Sequence, residues 1–179
     1  MGELLPGPDE TIRRRPRAFV SYAHDSQPHK ESVRGFCELL AEAGIDVRVD
    51  RWAIGERRDW QLWATSQILE SDFVIIIASP ACRRVGDGTV TPGTHAGLQS
   101  EMRTLRELYH SDPATWTRKM LPVVLPGRSV NEIPLFLQPY TADHFVVPSI
   151  SPAGAGDLLR LLTRRPCESG TALVSWRSG

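Results

Sequence analysis

A doubly wound α/β domain built on a parallel sheet is the fold class this sequence predicts, and three observations predict it. Apolar segments of strand length alternate with segments of helical spacing. The clearest strand, Phe73 to Ala78 within SDFVIIIASP, is continuously apolar, as a strand buried on both faces must be. The order reads βαβαβαβ(α)βα, and strands separated by helices join through crossovers that make neighbours parallel. The 179 residues suit one domain with short tails.

Residues 1–15 form an N-terminal segment, rich in Gly, Pro and acids over 1–12, and a basic run, RRRPR at 13–17, leads from it into the first strand. Such a segment is expected to be flexible. The domain proper is placed at 16–163, with a tail at 164–179. Ala18 to Tyr22 (AFVSY) reads as a short buried strand, and His24-Asp25-Ser26 as helix-start chemistry. From Pro28, Val33, Phe36, Cys37, Leu40 and Ala43 recur at helical spacing until Gly44. Ile45 to Asp50 alternates as a strand near a sheet edge does. A charged loop, RWAIGERR at 51–58, leads to Asp59, an N-cap candidate for a helix carrying Trp60, Trp63, Ile68 and Leu69. After Phe73 to Ala78, residues 80–94 read as a long loop and Ala96 to Tyr109 as a helix with Leu98, Met102, Leu105 and Leu108 inward. Met120 to Leu125 is the fourth strand, Pro134 to Leu137 a helical turn, Phe145 to Val147 the fifth strand and Ala155 to Leu162 the last helix.

Five strands in this sequence order suit a flavodoxin-like sheet of order 2-1-3-4-5 with helices on both faces. Ligands bind such sheets beyond the carboxyl ends of the strands. That rule selects residues 22–29, 50–60, 79–101 and 125–133. The loops contain no GxGxxG, no GxxxxGK[ST] and no GxSxG, which excludes the common dinucleotide, P-loop and nucleophile-elbow signatures. His24, His29, His95, His110 and His144 lack metal-ligand spacing with one another or with cysteine, so no metal is expected. The third strand ends in Ala78-Ser79-Pro80, where a phospho-acceptor would need an acid.

Lys+Arg and Asp+Glu both total 21, so no direct nucleic-acid binder is indicated, and copies repel one another little. Cys37, Cys82 and Cys167 form no CxxC pair, as suits reducing cytosol, and a cytoplasmic location is expected. No apolar run approaches membrane-span length, and MGELLPGPDE has no signal-peptide core.

AFVSYAHDS after a basic lead, GIDVRVDRW, ILESDFVIIIASPAC and LPVVLPGRSVNEIP, in that order, resemble the SEFIR branch of the TIR-like superfamily, in its bacterial form. The resemblance spans about residues 16–163 and implies a five-stranded TIR-like sheet. It also implies one of two functions. One is a receptor or adaptor module assembling like with like. The other is cleavage of the nicotinamide–ribose bond of NAD+, as in bacterial antiphage defence. NAD+ is then a substrate, with no prosthetic group.

In that family the catalytic residue is a glutamate on the helix after the third strand, and Glu101 in GLQSEM matches it. A carboxylate suits the reaction because loss of nicotinamide builds oxocarbenium character on the ribose. By spacing alone Glu101 reads rather as a solvated helix residue, pairing with Arg103 or Arg106; the resemblance is what brings the catalytic reading level with it. Many relatives carry an aromatic four residues earlier, where this chain has Gly97. Trp52 is the expected substitute; Trp60 and Trp63, three apart on one helix face, read as core. Tyr22, Ala23 and His24 are expected to line the cleft floor, and Asp50 to bond ribose hydroxyls or cap its loop. Asp72 reads as a structural tether and Gly86 to Thr94 as a possible lid. Self-association is expected through the 51–58 loop and the helix at 59–70, with a separate sensor or receptor as a further partner.

Overall fold

The computed structural model describes residues 14–49 and 59–163. The readings placed on Asp50, Trp52, the 51–58 loop, residues 1–13 and the 164–179 tail lie outside the described residues. The sheet has five strands: β1 (Arg17–Ser21), β2 (Asp46–Arg48), β3 (Phe73–Ile77), β4 (Met120–Val124) and β5 (Phe145–Val146). Their spatial order is β2-β1-β3-β4-β5, and every pairing is parallel. Val20 stands opposite Ile75, and Ile75 opposite Leu121. This is the predicted order 2-1-3-4-5.

The helices are α1 (Gln27–Glu42), α2 (Trp60–Glu70), α3 (Pro80–Gly86), α4 (Ala96–Ser111), α5 (Pro113–Lys119) and α6 (Gly156–Thr163). Strand residues alternate between two buried layers, as a pleated backbone requires. Ala18, Val20, Ile75, Ile77, Leu121 and Val123 meet Phe36 and Leu40 of α1 and Leu158 and Leu162 of α6. Phe19, Val74, Ile76 and Val124 meet Ile68 of α2, Cys82 of α3, Leu105 of α4 and Trp116 of α5. Side chains as fully buried as Phe36 and Leu40 each contribute about 1.5–3 kcal/mol.

Caps mark the helix starts. Ser26 Oγ accepts from His29 N at α1, and Asp59 Oδ1 accepts from Gln61 N and Leu62 N at α2. Gly44, at φ +88, turns the chain out of α1 in a conformation that an L side chain rarely adopts. At the amino edge of the sheet Asp72 accepts from Arg17 N at 2.8 Å and from Arg14 Nη2 at 2.7 Å, which joins the starts of β1 and β3.

Two helices stand where none was predicted. Residues 80–86 are α3 rather than loop, and residues 113–119 form α5. Both begin with a capping residue followed by proline: Ser79-Pro80, with Ser79 Oγ accepting from Cys82 N, and Asp112-Pro113, with Asp112 Oδ1 accepting from Thr115 N. Two strands are shorter than predicted. Ile45 and Val49 are buried but lie outside the paired part of β2, and β5 pairs only through Phe145 and Val146. Pro134 precedes a 3-10 turn at Leu135–Leu137, and a second such turn occupies Val130–Glu132.

Candidate functional site

The carboxyl edge of the sheet gathers the ends of β1 and β3 against the first turns of α3 and α4. Ser21, the last residue of β1, is buried, and its Oγ donates to Glu101 Oε2 at 2.6 Å. A short hydrogen bond to a carboxylate holds that side chain in one place. Glu101 is half-buried, on the same helical stripe as the buried Leu98 and Leu105. It therefore lies at the edge of the core and not on the outer face of α4. Asp25, in the loop after β1, accepts from Ala81 N at the start of α3. Beneath these groups Cys82 is fully enclosed. Burial first, then the carboxylates of Asp25 and Glu101, push its thiol up, so no thiolate nucleophile forms there.

The pleat separates the predicted floor residues. Ala23 packs in the same layer as Glu101's helix. Tyr22 packs in the opposite layer and faces α1, in a small hollow with Gln27, Lys30, Val33, Cys37 and Val49. Its ring lies 4.9 Å from that of exposed His24 and 6.4 Å from that of buried His29. Thus Ser21 and Ala23 share a face with Glu101, whereas Tyr22 and His24 form a separate aromatic cluster on the α1 side.

Glu101 opens on a groove of about 480 Å³ between α2 and α4. Trp60, Trp63 and Ile68 form one wall, and Ala96, Gly97 and Ser100 the other. Trp60 is 47% exposed, so the core role predicted for it does not hold. Its ring meets Trp63 edge to face at 5.9 Å, and Trp63 meets Phe19 of β1 in the same manner at 6.2 Å. This relay anchors an exposed indole to the sheet. A side chain at Gly97 would point into open space, so its absence widens the groove. Beyond it, the segment from Gly86 to Thr94 is tied back: Gln99 Nε2 donates to Thr94 O at 2.6 Å and to Thr91 O at 3.3 Å.

The SEFIR domain family matches residues 16–153. The chain belongs to the SEFIR family. A crystal structure of a prokaryotic SEFIR domain superposes with a TM-score of 0.64 at 23% identity, covering 87% of this chain and 97% of that one. A diflavin flavoprotein A3 from Nostoc sp. superposes with a TM-score of 0.43 at 9% identity, over 84% of this chain and 90% of that one. Comparison with the curated proteins finds no match.

A larger depression in this SEFIR domain, about 1300 Å³, lies at the opposite edge among Phe73, Met120, Lys119 and Asp143. Size alone would select it. The amino ends of parallel strands are not where such sheets bind ligands, and the Ser21–Glu101 pair is at the other edge. Three residues of that pair's surroundings escaped the sequence reading. Strand alternation puts Ser21 on the face opposite Tyr22 without saying which face meets α4, and Asp25 carried a signal as an acid just beyond β1. Trp60 gave no such signal. Among the described residues no group of His, Cys, Asp and Glu could hold a metal ion, and no helix is long and apolar enough to cross a membrane.

Proposed function

We propose that this SEFIR domain hydrolyses NAD+ at the nicotinamide–ribose bond and is switched on by self-association. The observation that carries the reading is the Ser21–Glu101 hydrogen bond, which holds a carboxylate at the carboxyl edge of β1 beside an open groove. In the reaction the bond from ribose C1′ to the pyridinium nitrogen breaks, and its electron pair leaves with nicotinamide. Water adds its oxygen to C1′ and releases a proton, which yields ADP-ribose. The Glu101 carboxylate stabilises the developing oxocarbenium ion, beneath the ring or through the ribose hydroxyls. In a bacterial host the outcome would be NAD+ depletion during phage infection.

Incubating the purified protein with NAD+ at high concentration, and identifying products, tests this directly. Nicotinamide and ADP-ribose are expected, and Glu101→Gln and Glu101→Ala should each slow their release by about 100- to 1000-fold without changing the folded state. No nicotinamide release from crowded wild-type protein, or equal release from the variants, overturns the reading.

A second reading is a non-enzymatic module that recruits like domains. The outward Leu62 and Leu69 of α2, 66% and 51% exposed, favour it. Under that reading the Glu101 variants associate and recruit as wild type does.

A further inference from the structure

The depression at the amino edge of the sheet sets one side chain apart. Lys119, the last residue of α5, lines it and is half-buried, with its ammonium over the Trp116 ring at 4.6 Å from the centroid. It donates no hydrogen bond and joins no ion pair among the described residues. An ammonium ion is strongly hydrated, and burial without an acceptor favours the neutral amine, which is the nucleophilic form. Burial accordingly holds the Lys119 pKa below the ordinary lysine value; Asp72 opposes it, as does the Trp116 ring face. The surroundings restrict the reagent. Glu70, Asp72, Asp143 and Asp157 line the depression with Arg118 and Arg160, and α2, α4 and α5 bring the negative ends of their dipoles to it. An anion gains little at such a place. An uncharged group finds the half-buried rings of Phe73 and Phe145.

We propose that Lys119 is an acylation site, which takes the acyl group of an uncharged thioester that enters this depression. The Lys119 nitrogen bonds to the acyl carbon and the carbon–sulfur bond breaks. The sulfur leaves with the electron pair and takes up the proton that the nitrogen gives up, so the products are an amide and a thiol. The amide carries no charge, which removes both the penalty of burying an ammonium and its attraction to the Trp116 face. No tight complex is required, because a covalent product accumulates from brief encounters. The site therefore needs no crevice of the kind found at the carboxyl edge. It is also independent of the hydrolase reading, which rests on Glu101 at that other edge.

The chain has one other lysine, Lys30 of α1, which serves as the internal reference. The full chain is treated with S-acetyl-N-acetylcysteamine, an uncharged thioester, and acetylation at each lysine is followed over time by peptide mass spectrometry. In the native protein Lys119 should react at least about threefold faster than Lys30. In concentrated urea the two rates should come together, because the fold and not the local sequence makes the difference. The Lys119 rate should also level off at a lower pH in the native protein than in urea, since burial lets the neutral amine form earlier as pH rises. Native rates that are equal or favour Lys30 overturn the proposal. So does a preference for Lys119 that survives in urea, or a Lys119 rate that levels off at the same pH in both states.

Discussion

Ser21 and Tyr22 are neighbours in sequence that a pleated strand sends to opposite faces. The result is two distinct polar environments at one strand end: Ser21 with Glu101 on the α4 side, and Tyr22 with His24 and His29 on the α1 side. That Glu101 lies at the carboxyl edge of the sheet was legible from its place on the helix after the third strand. Its hydrogen-bond partner was not, because AFVSY states an alternation without saying which face will meet α4. His29 makes the second environment testable. It is 2% exposed, and its Nε2 finds no hydrogen-bond partner among the described residues. Burial first, then the Arg128 charge, holds its pKa below the ordinary histidine value; Asp25 opposes and His24 adds slightly. As pH falls through that ordinary value, about 6.5, the unfolded chain takes up a proton that the folded chain refuses. This contribution to stability is therefore complete above the ordinary value and is lost below it, at up to about 1.4 kcal/mol per pH unit until the folded pKa is reached. Urea midpoints of wild type at pH 7.5 and 5.5 should differ clearly. Those of His29→Phe, which keeps a ring in the pocket, should differ much less, and equal differences in the two proteins would rule out His29 as the source.

Elements, more than residues, are where periodicity misled. Residues 80–94 looked like loop because Pro, Gly and Thr crowd the segment, yet its first half is α3. Residues 113–119 received no element, because α5, a helix of 7 residues, is too short to show an apolar period. Ser79-Pro80 and Asp112-Pro113 carry the start signal of both helices in two letters. What α3 does is equally local. Arg83 donates to Ile133 O at 2.7 Å and to Asn131 O at 3.2 Å, and Asp87 accepts from Leu135 N at 2.8 Å. These bonds clamp the turns after β4 onto the end of α3, where Gly86 approaches Pro134 so closely that a Cβ would stand 2.4 Å from its ring carbons. Gly86 is in the last turn of an ordinary helix, so helix propensity alone would favour Ala by about 1 kcal/mol. The clash with a rigid ring should win. Gly86→Ala is expected to destabilise by about 1–3 kcal/mol, read as a lower midpoint in urea, and a gain in stability would show that Pro134 yields freely.

For the whole molecule, alternation of strands and helices was enough to forecast the sheet order, because crossover connections leave few ways to lay down five parallel strands. The same alternation did not forecast which side of α2 faces outward. Its apolar residues, Trp60, Leu62, Trp63, Ile68 and Leu69, lie around much of the helix, and only Ile68 is fully buried. Packing against α4 settles the matter: Trp60 and Trp63 turn to the groove, while Leu62 and Leu69, seven residues apart, share a stripe open to solvent. With Lys+Arg equal to Asp+Glu, long-range charge does little to hold copies apart. If α2 is the face through which copies meet, charge on that stripe should block assembly without touching the groove. Sedimentation of wild type should show association that grows with concentration, and the Leu62→Asp, Leu69→Asp double variant should stay monomeric. Its stability should lie within about 1 kcal/mol of wild type, since both positions are on the surface. Under the proposed hydrolase reading, NAD+ turnover per molecule should rise with concentration in wild type and stay low in the variant, because a site switched on by assembly would be idle in the monomer. A variant that still associates moves the interface off α2, and a monomeric variant with full turnover breaks the link between assembly and activity.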